Sequence, residues 1–223
     1  MTVPLIVLTN GRRDCLEATM RAARTHLGGV AHTTIVDDTG SADHRAWLAD
    51  NFSADVVPVD PNGPAGYRRA MQTVWSLAAG ERTIAFLEDD FVLETGVDLD
   101  VLAGVLDTHT YLTQIALLRQ PWYANEHAAG GLIEALEAQG NEFTQHTDGE
   151  HAWIEHRACF TGNPTVLPAA TLARPWPDTP WSESAFGRAL FASDPTLRGA
   201  YWGRRGDPPR VRHIGHHRTG TDY

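Results

Sequence analysis

Three acids in a row, Glu88, Asp89 and Asp90, interrupt the apolar stretch "IAFLEDDFVL" at residues 84–93. Residues two apart on a strand face the same way, so Glu88 and Asp90 are expected to project together, with Asp89 pointing away or into a turn. Carboxylates this close repel one another and call for a cation. A hard divalent ion with oxygen ligands meets that need and can also bridge phosphate oxygens; a solvated turn whose carboxylates cap the next segment is the alternative. A second pair, Asp37 and Asp38 in "TIVDDTGS" (34–41), ends another apolar run. A carboxylate there can accept hydrogen bonds from a nucleobase or ribose, or close an Asx turn.

Cations stand near these acids in the sequence pattern. "VLTNGRRDCLEATMRA" (7–22) leaves an apolar run through Thr9, Asn10, Gly11 and Arg12 into a helical segment, as a nucleotide-binding edge would, and Arg68 and Arg69 sit just ahead of another helix. "GRRGDPPRVRHIGHHRTG" (203–220) carries Arg204, Arg205, Arg210, Arg212 and Arg218 together with His213, His216 and His217. On a chain of formal charge −10, one basic end suits a small anionic ligand, and the net charge argues against a protein that coats nucleic acid.

The elements that hold these residues follow from hydrophobic periodicity. Short apolar runs bounded by turn residues predict buried strands at 4–10, 32–38, 54–60 and 82–90, the third an edge strand because of Pro58. Helical segments alternate with them at 14–26, 42–51 and 64–80, the last opened by Pro and closed by Gly. Beyond residue 93 the pattern is less regular, with strands expected at 113–120 and 151–160, a short one at 209–215, and helices at 97–109, 131–139, 167–174 and 182–192. Alternating strands and helices imply one α/β domain with a mostly parallel central sheet flanked by helices. Its first half, 1–93, is the expected nucleotide-binding half, and 94–223 the acceptor and catalytic half.

Composition bounds the rest. The 223 residues are 42% hydrophobic and 21% charged, ordinary for a globular protein. Two cysteines, Cys15 and Cys159, make neither a disulfide framework nor a zinc ribbon, so a reducing cytoplasm is the expected setting. The first residues read as a strand and not as a signal peptide, and no membrane span is expected.

In their order, "VLTNGRRDCLEATM", "TIVDDTGS", "GYRRAMQTVWSLA" and "IAFLEDDFVL" resemble the nucleotide-sugar-binding half of GT-A fold glycosyltransferases, especially the large inverting group that carries a DxD motif. The resemblance spans roughly the first half of the chain. It implies that Thr9, with Asp37 or Asp38, meets the base and ribose, that Asn10, Arg12 and Arg68 belong to the nucleotide-sugar site, and that the acidic triplet meets Mn²⁺ (or Mg²⁺) and the diphosphate. Glu88 stands where the first DxD acid is usual, so metal binding rests mainly on Asp90, supported by Asp89 and Glu88. The same resemblance makes Glu183, in "DTPWSESAFGRALF" (178–191), the expected catalytic base, with Asp178 in reserve; read alone, it is a first-turn Glu favouring the helix dipole. It also brings a histidine of "VRHIGHHRTGTDY" (211–223) to the metal, with His213 preferred over His216 and His217 and with Arg212 and Arg218 on the diphosphate. Gly162 and Asn163, in the turn "CFTGNPTVLP" (159–168), would lie along the sugar; a plain turn is the other reading.

The implied activity is metal-dependent transfer of a sugar from a UDP- or GDP-linked donor to an acceptor hydroxyl, with inversion. A nucleotidyltransferase and a non-catalytic sugar- or nucleotide-binding module are the competing readings. The acceptor is open, and a modified nucleic-acid base is among those allowed.

Overall fold

The apolar runs of the first half become parallel strands with helices between them, as β-branched and aromatic residues bounded by turns favour. The computed structural model describes residues 2–215. In chain order it contains β1 (Val3–Thr9), α1 (Arg13–His26), β2 (Leu27–Gly28), β3 (Val30–Asp37), α2 (Ala42–Asn51), β4 (Asp55–Pro58), α3 (Tyr67–Leu77), β5 (Thr83–Glu88), β6 (Phe91–Leu93), β7 (Val97–Asp98) and α4 (Leu99–Thr108). There follow β8 (Leu112–Leu117), α5 (Ala124–Ala129), α6 (Leu132–Glu137), β9 (Phe143–Asp148), β10 (His151–His156), β11 (Thr165–Pro168), α7 (Ala169–Leu172), α8 (Ser182–Ser193), β12 (Arg198–Trp202) and β13 (Val211–His213).

One sheet runs through both halves in the order β4-β3-β1-β5-β11-β8-β12-β10-β9. Seven of its nine strands point one way; β10 and β11 run against them. Successive residues of β1 divide the core between the two faces. Leu5 and Val7 pack with Leu16 and Met20 of α1 and Leu102 and Leu106 of α4, while Ile6 and Leu8 pack with Met71 and Val74 of α3 and Phe186 and Leu190 of α8. Helices therefore cover both sides of the sheet, and Pro58 does lie on its edge strand.

From β1 the chain winds outward to β3 and β4, then returns to add β5 on the other side of β1. That reversal is a topological switch point, where the strand ends part and leave a crevice. Leu8 pairs with Glu88 across it, so the end of β1 at Thr9 adjoins the acidic end of β5.

Several elements differ from the sequence expectations. α3 begins at Tyr67, not Pro64, because Gly66 holds φ 86°, a left-handed value open to glycine that turns the chain into the helix. The expected helix 167–174 yields only the single turn α7, preceded by β11, which enters the sheet between β5 and β8. A four-residue run ending in Pro168 carries no periodic signal, and only the slot between two buried strands makes it a strand. β9 and β12 were likewise invisible to periodicity, β9 being mostly polar and exposed.

Candidate active site

β5 ends at Glu88, so strand alternation stops there and Asp89 and Asp90 fall in the following turn. The expected pairing of Glu88 with Asp90 on one face gives way to a different grouping, in which Asp89 and Asp90 converge on Arg12. Arg12 Nη1 donates to Asp90 Oδ2 at 2.6 Å, Nη2 donates to Asp89 Oδ1, and Nε donates to Asn10 Oδ1 at 2.9 Å. Thr9 Oγ1 donates to Asp89 Oδ2 at 2.7 Å and Thr19 Oγ1 to the Asp89 carbonyl at 2.8 Å, which pins the turn to the end of β1 and to the body of α1. Burial pushes the Asp89 carboxyl up to about 6, against the opposing pull of Arg12 and the Thr9 hydrogen bond. At Asp90 burial acts the same way, but His213 and Arg12 outweigh it and hold the carboxyl below its ordinary range. Burial also works against the Arg12 charge, and the two aspartates more than restore it.

His213 reaches this turn because β13 pairs antiparallel with β6, the strand that leaves the acidic turn. Its ring lies between Phe91, stacked at 4.7 Å, and Trp122 at 4.0 Å between centroids. The Gln120 side chain brackets its backbone, accepting from His213 N at 2.9 Å and donating to its carbonyl at 3.0 Å. So held, His213 Nε2 sits 3.0 Å from Asp90 Oδ2.

That spacing fits a divalent ion. Two adjacent ligands each about 2.1 Å from an octahedral ion stand about 3.0 Å apart, the separation of these two atoms. Among the described residues, Asp90 Oδ1 and His213 Nδ1 are buried without a hydrogen-bond partner. Gly215 keeps the space open: a Cβ on it would lie 2.1 Å from Asp90 Oδ2 and 2.7 Å from Arg12 Nη1. Among the described residues no three His, Cys, Asp or Glu side chains converge as a ready-made cage. An ion here would have two protein ligands and take the rest from phosphate oxygens and water, a usual arrangement for Mg²⁺ and related hard cations.

Glu88 turns to a second cluster. Tyr67 hydroxyl donates to Glu183 Oε2 at 3.0 Å, and a Cβ on Gly162 would lie 2.8 Å from both Glu88 Oε1 and the Tyr67 hydroxyl and 3.4 Å from Glu183 Oε2. Any side chain at 162 would fill the space where these three groups meet. Burial, then the charges of Asp90, Glu183 and Asp89, hold the Glu88 carboxyl well above the ordinary range. Trp181, just before α8, is the one described non-glycine residue at positive φ, 57°, and is 64% exposed. Left-handed backbone disfavours a bulky residue and tends to persist at functional sites.

Other expected site residues lie elsewhere or are occupied. Asp37 accepts from Thr39 N at 3.1 Å and Thr39 Oγ1 at 2.7 Å, closing the turn after β3, while Asp38 accepts from Ala65 N at 2.7 Å and Gly66 N at 3.0 Å. Burial still raises the Asp38 carboxyl, partly offset by those two N–H donors. Arg68 pairs with the exposed Asp178 at 3.2 Å and Arg212 with Glu94 at 2.8 Å, on the opposite side of β13 from His213. Asn163 N donates to Thr161 Oγ1 at 3.2 Å within its turn. His216, His217 and Arg218 lie outside the described residues. Tyr67, Gln120 and Gly215 were not anticipated as site residues; only the His-Gly-Arg clustering around 213–218 hinted at the last.

No protein-family model matches the sequence, and no curated protein matches it. Solved structures do resemble the chain. The mannosyltransferase PcManGT from Pyrobaculum calidifontis, in complex with GDP-Man and Mn²⁺, matches 96% of this chain and 56% of its own at TM-score 0.59 and 14% identity. GalNAc-T7 with UDP, GalNAc and Mn²⁺ matches 96% of this chain and 44% of its own at TM-score 0.65 and 10% identity. Residues 1–349 of S. aureus TarS match 96% of this chain and 60% of their own at TM-score 0.59 and 14% identity. The chain has a GT-A fold. It spans between 44% and 60% of the length of these neighbours. Among the described residues no helix is long and apolar enough to cross a membrane.

Proposed function

We propose that the protein is a metal-dependent glycosyltransferase that moves a sugar from a nucleoside-diphosphate sugar to an acceptor hydroxyl with inversion. One observation carries the reading: at the switch point a preset Asp90–His213 pair adjoins the acidic end of β5, whose Glu88 faces Glu183 across Gly162. The neighbours solved with GDP-Man or with UDP support a nucleotide-sugar donor, and their Mn²⁺ supports a divalent ion. When bound to Asp90 and His213, Mn²⁺ or Mg²⁺ supplies positive charge to the leaving diphosphate.

The chain's own groups do the rest. Glu183 accepts the acceptor hydroxyl proton as that oxygen bonds to the anomeric carbon, and the bond from this carbon to the diphosphate oxygen breaks in the same displacement. Tyr67 donates to Glu183 Oε2 and so orients the carboxylate. Glu88, its carboxyl held above the ordinary range by burial and then by the charges of Asp90, Glu183 and Asp89, lies beside Gly162 on the sugar side. Thr9, Asn10 and Arg12 line the donor's diphosphate side, and the Asp37–Asp38 turn forms the base side through its backbone. Trp181 offers an exposed ring face to a sugar acceptor.

Calorimetric titration of UDP and of GDP, with Mn²⁺ and then with EDTA, tests this. Binding of one nucleotide that requires Mn²⁺ and is lost by on the order of 100-fold in Asp90→Ala is the expected result. The second reading, a non-catalytic nucleotide-binding module, is favoured by the closure of Asp89 and Asp90 on Arg12; metal-indifferent binding in the same titration would support it.

A further inference from the structure

We infer that Arg12 is the resident counter-cation of the donor-free site: it holds the metal's place on Asp90 and moves to the donor's diphosphate when the ion enters. The inference rests on the metal-dependent reading above. Each guanidinium nitrogen already has a named acceptor, Asn10 for Nε, Asp90 for Nη1 and Asp89 for Nη2. One side chain therefore bridges two adjacent carboxylates and offsets one of their two charges, in a buried turn where neither would stay charged readily alone.

The oxygen that Arg12 holds is the one that fits an ion. Asp90 Oδ2 receives Arg12 Nη1 at 2.6 Å and His213 Nε2 at 3.0 Å, and it faces Gly215, where even a methyl group would collide. An ion shared by Asp90 Oδ2 and His213 would stand against the guanidinium, and two cations on one carboxylate oxygen repel at short range. Arg12 has somewhere to go. Its side chain is 23% exposed, whereas Asp89 and Asp90 are 1% and 5% exposed, so the guanidinium can swing outward while the carboxylates stay fixed. A planar fork leaving two carboxylates is matched by the paired oxygens of a diphosphate, which it can grip bidentately. Asp89, kept by Thr9 and Asn10, remains in place without Arg12.

Competition of this kind has a signature that a purely structural arginine lacks. Mn²⁺ alone is titrated calorimetrically into wild type, Arg12→Met and Arg12→Lys, and the titrations are repeated with saturating UDP or GDP; melting is followed in EDTA. Arg12→Met is expected to bind Mn²⁺ at least about fivefold tighter than wild type without nucleotide. With nucleotide the gain disappears, because the diphosphate has lost its partner, and the variant melts lower than wild type in EDTA but not in Mn²⁺. Arg12→Lys, which keeps the charge but reaches one carboxylate at a time, is expected to fall between the two. Mn²⁺ binding that is unchanged or weaker in both folded variants, while wild type still shows Mn²⁺-dependent nucleotide binding, would overturn the inference alone. Absence of Mn²⁺ binding in all three proteins, with or without nucleotide, overturns the metal-dependent reading and the inference with it.

Discussion

Of the arginines that face carboxylates, Arg119 and Arg12 do opposite things. Arg119 grips Glu126 bidentately at 2.6 and 2.8 Å, and Glu126 also accepts from Trp122 N at 2.7 Å and Tyr123 N at 3.2 Å. Both partners are buried, and although burial alone would raise the Glu126 carboxyl, Arg119 and the two N–H groups bring it below the ordinary range. Arg12 instead spreads over two carboxylates, leaves Asp90 Oδ1 unpartnered and keeps part of its side chain in solvent. A saturated pair has nothing left to offer a ligand. The closed pair is scaffold, and it serves the open one: it folds the 119–126 segment, whose Gln120 and Trp122 hold His213 against Asp90.

The comparison can be pressed at its extremes. The largest effect is expected beside the open pair, in the Glu88–Tyr67–Glu183 cluster, at a residue that binding does not need: Glu183→Gln is predicted to keep nucleotide affinity while lowering the rate of sugar transfer about 10²- to 10⁴-fold, measured as nucleoside diphosphate release with acceptor present. Next comes the closed pair. Glu126→Ala should destabilise the fold by about 3–5 kcal/mol in urea unfolding, since it strands the buried Arg119 charge. Equal destabilisation by Arg12→Met would erase the distinction drawn between the two sites.

A buried group with no partner at all sharpens the same point. His156 is 2% exposed, stacks on Tyr201 at 4.8 Å, and neither ring nitrogen finds a hydrogen-bond partner among the described residues. Burial lowers its pKa to about 4 from an ordinary 6.5. The unfolded chain takes up the proton first on acidification, so stability from the neutral ring is complete above pH 6.5 and is lost as pH falls toward 4. The loss amounts to about 3 kcal/mol. His156→Phe should remove that part of the pH dependence, read as a flatter plot of melting temperature between pH 7 and 4.5. The smallest expected effect is at the rim, where Trp181→Ala should raise the KM for a sugar acceptor about five- to tenfold with donor binding unchanged, a shift of the size that aromatic contacts supply.

Much of the scaffold was legible in the sequence. Runs such as "PLIVLTN" and "RTIAFLE" are too apolar to be anything but buried, and their punctuation separates them from α1 and α3. β11 and β12 were not, because "TVLP" and "RGAYW" become strands only where neighbours supply hydrogen-bond partners on both sides. In the site, acids at strand ends were legible as acids at strand ends. Their allocation was not. Asp37 and Asp38 look in sequence much like Asp89 and Asp90, yet the first pair is spent on Thr39, Ala65 and Gly66 and the second on Arg12, Thr9 and His213.

What the sequence determined by itself was local and periodic: the apolar strands of the first half, the helices that alternate with them, and that carboxylates crowd the end of the most apolar strand. Those properties depend on neighbours within a few residues, so the chain states them directly. Tertiary structure alone decided which of those carboxylates meet a cation, that Arg12 reaches Asp89 and Asp90 some 77 and 78 residues away, and that His213 arrives from 123 residues beyond Asp90. Hydrogen bonds act over about 3 Å whatever the separation along the chain, and only the winding of β1, β5 and β13 brings those distances about.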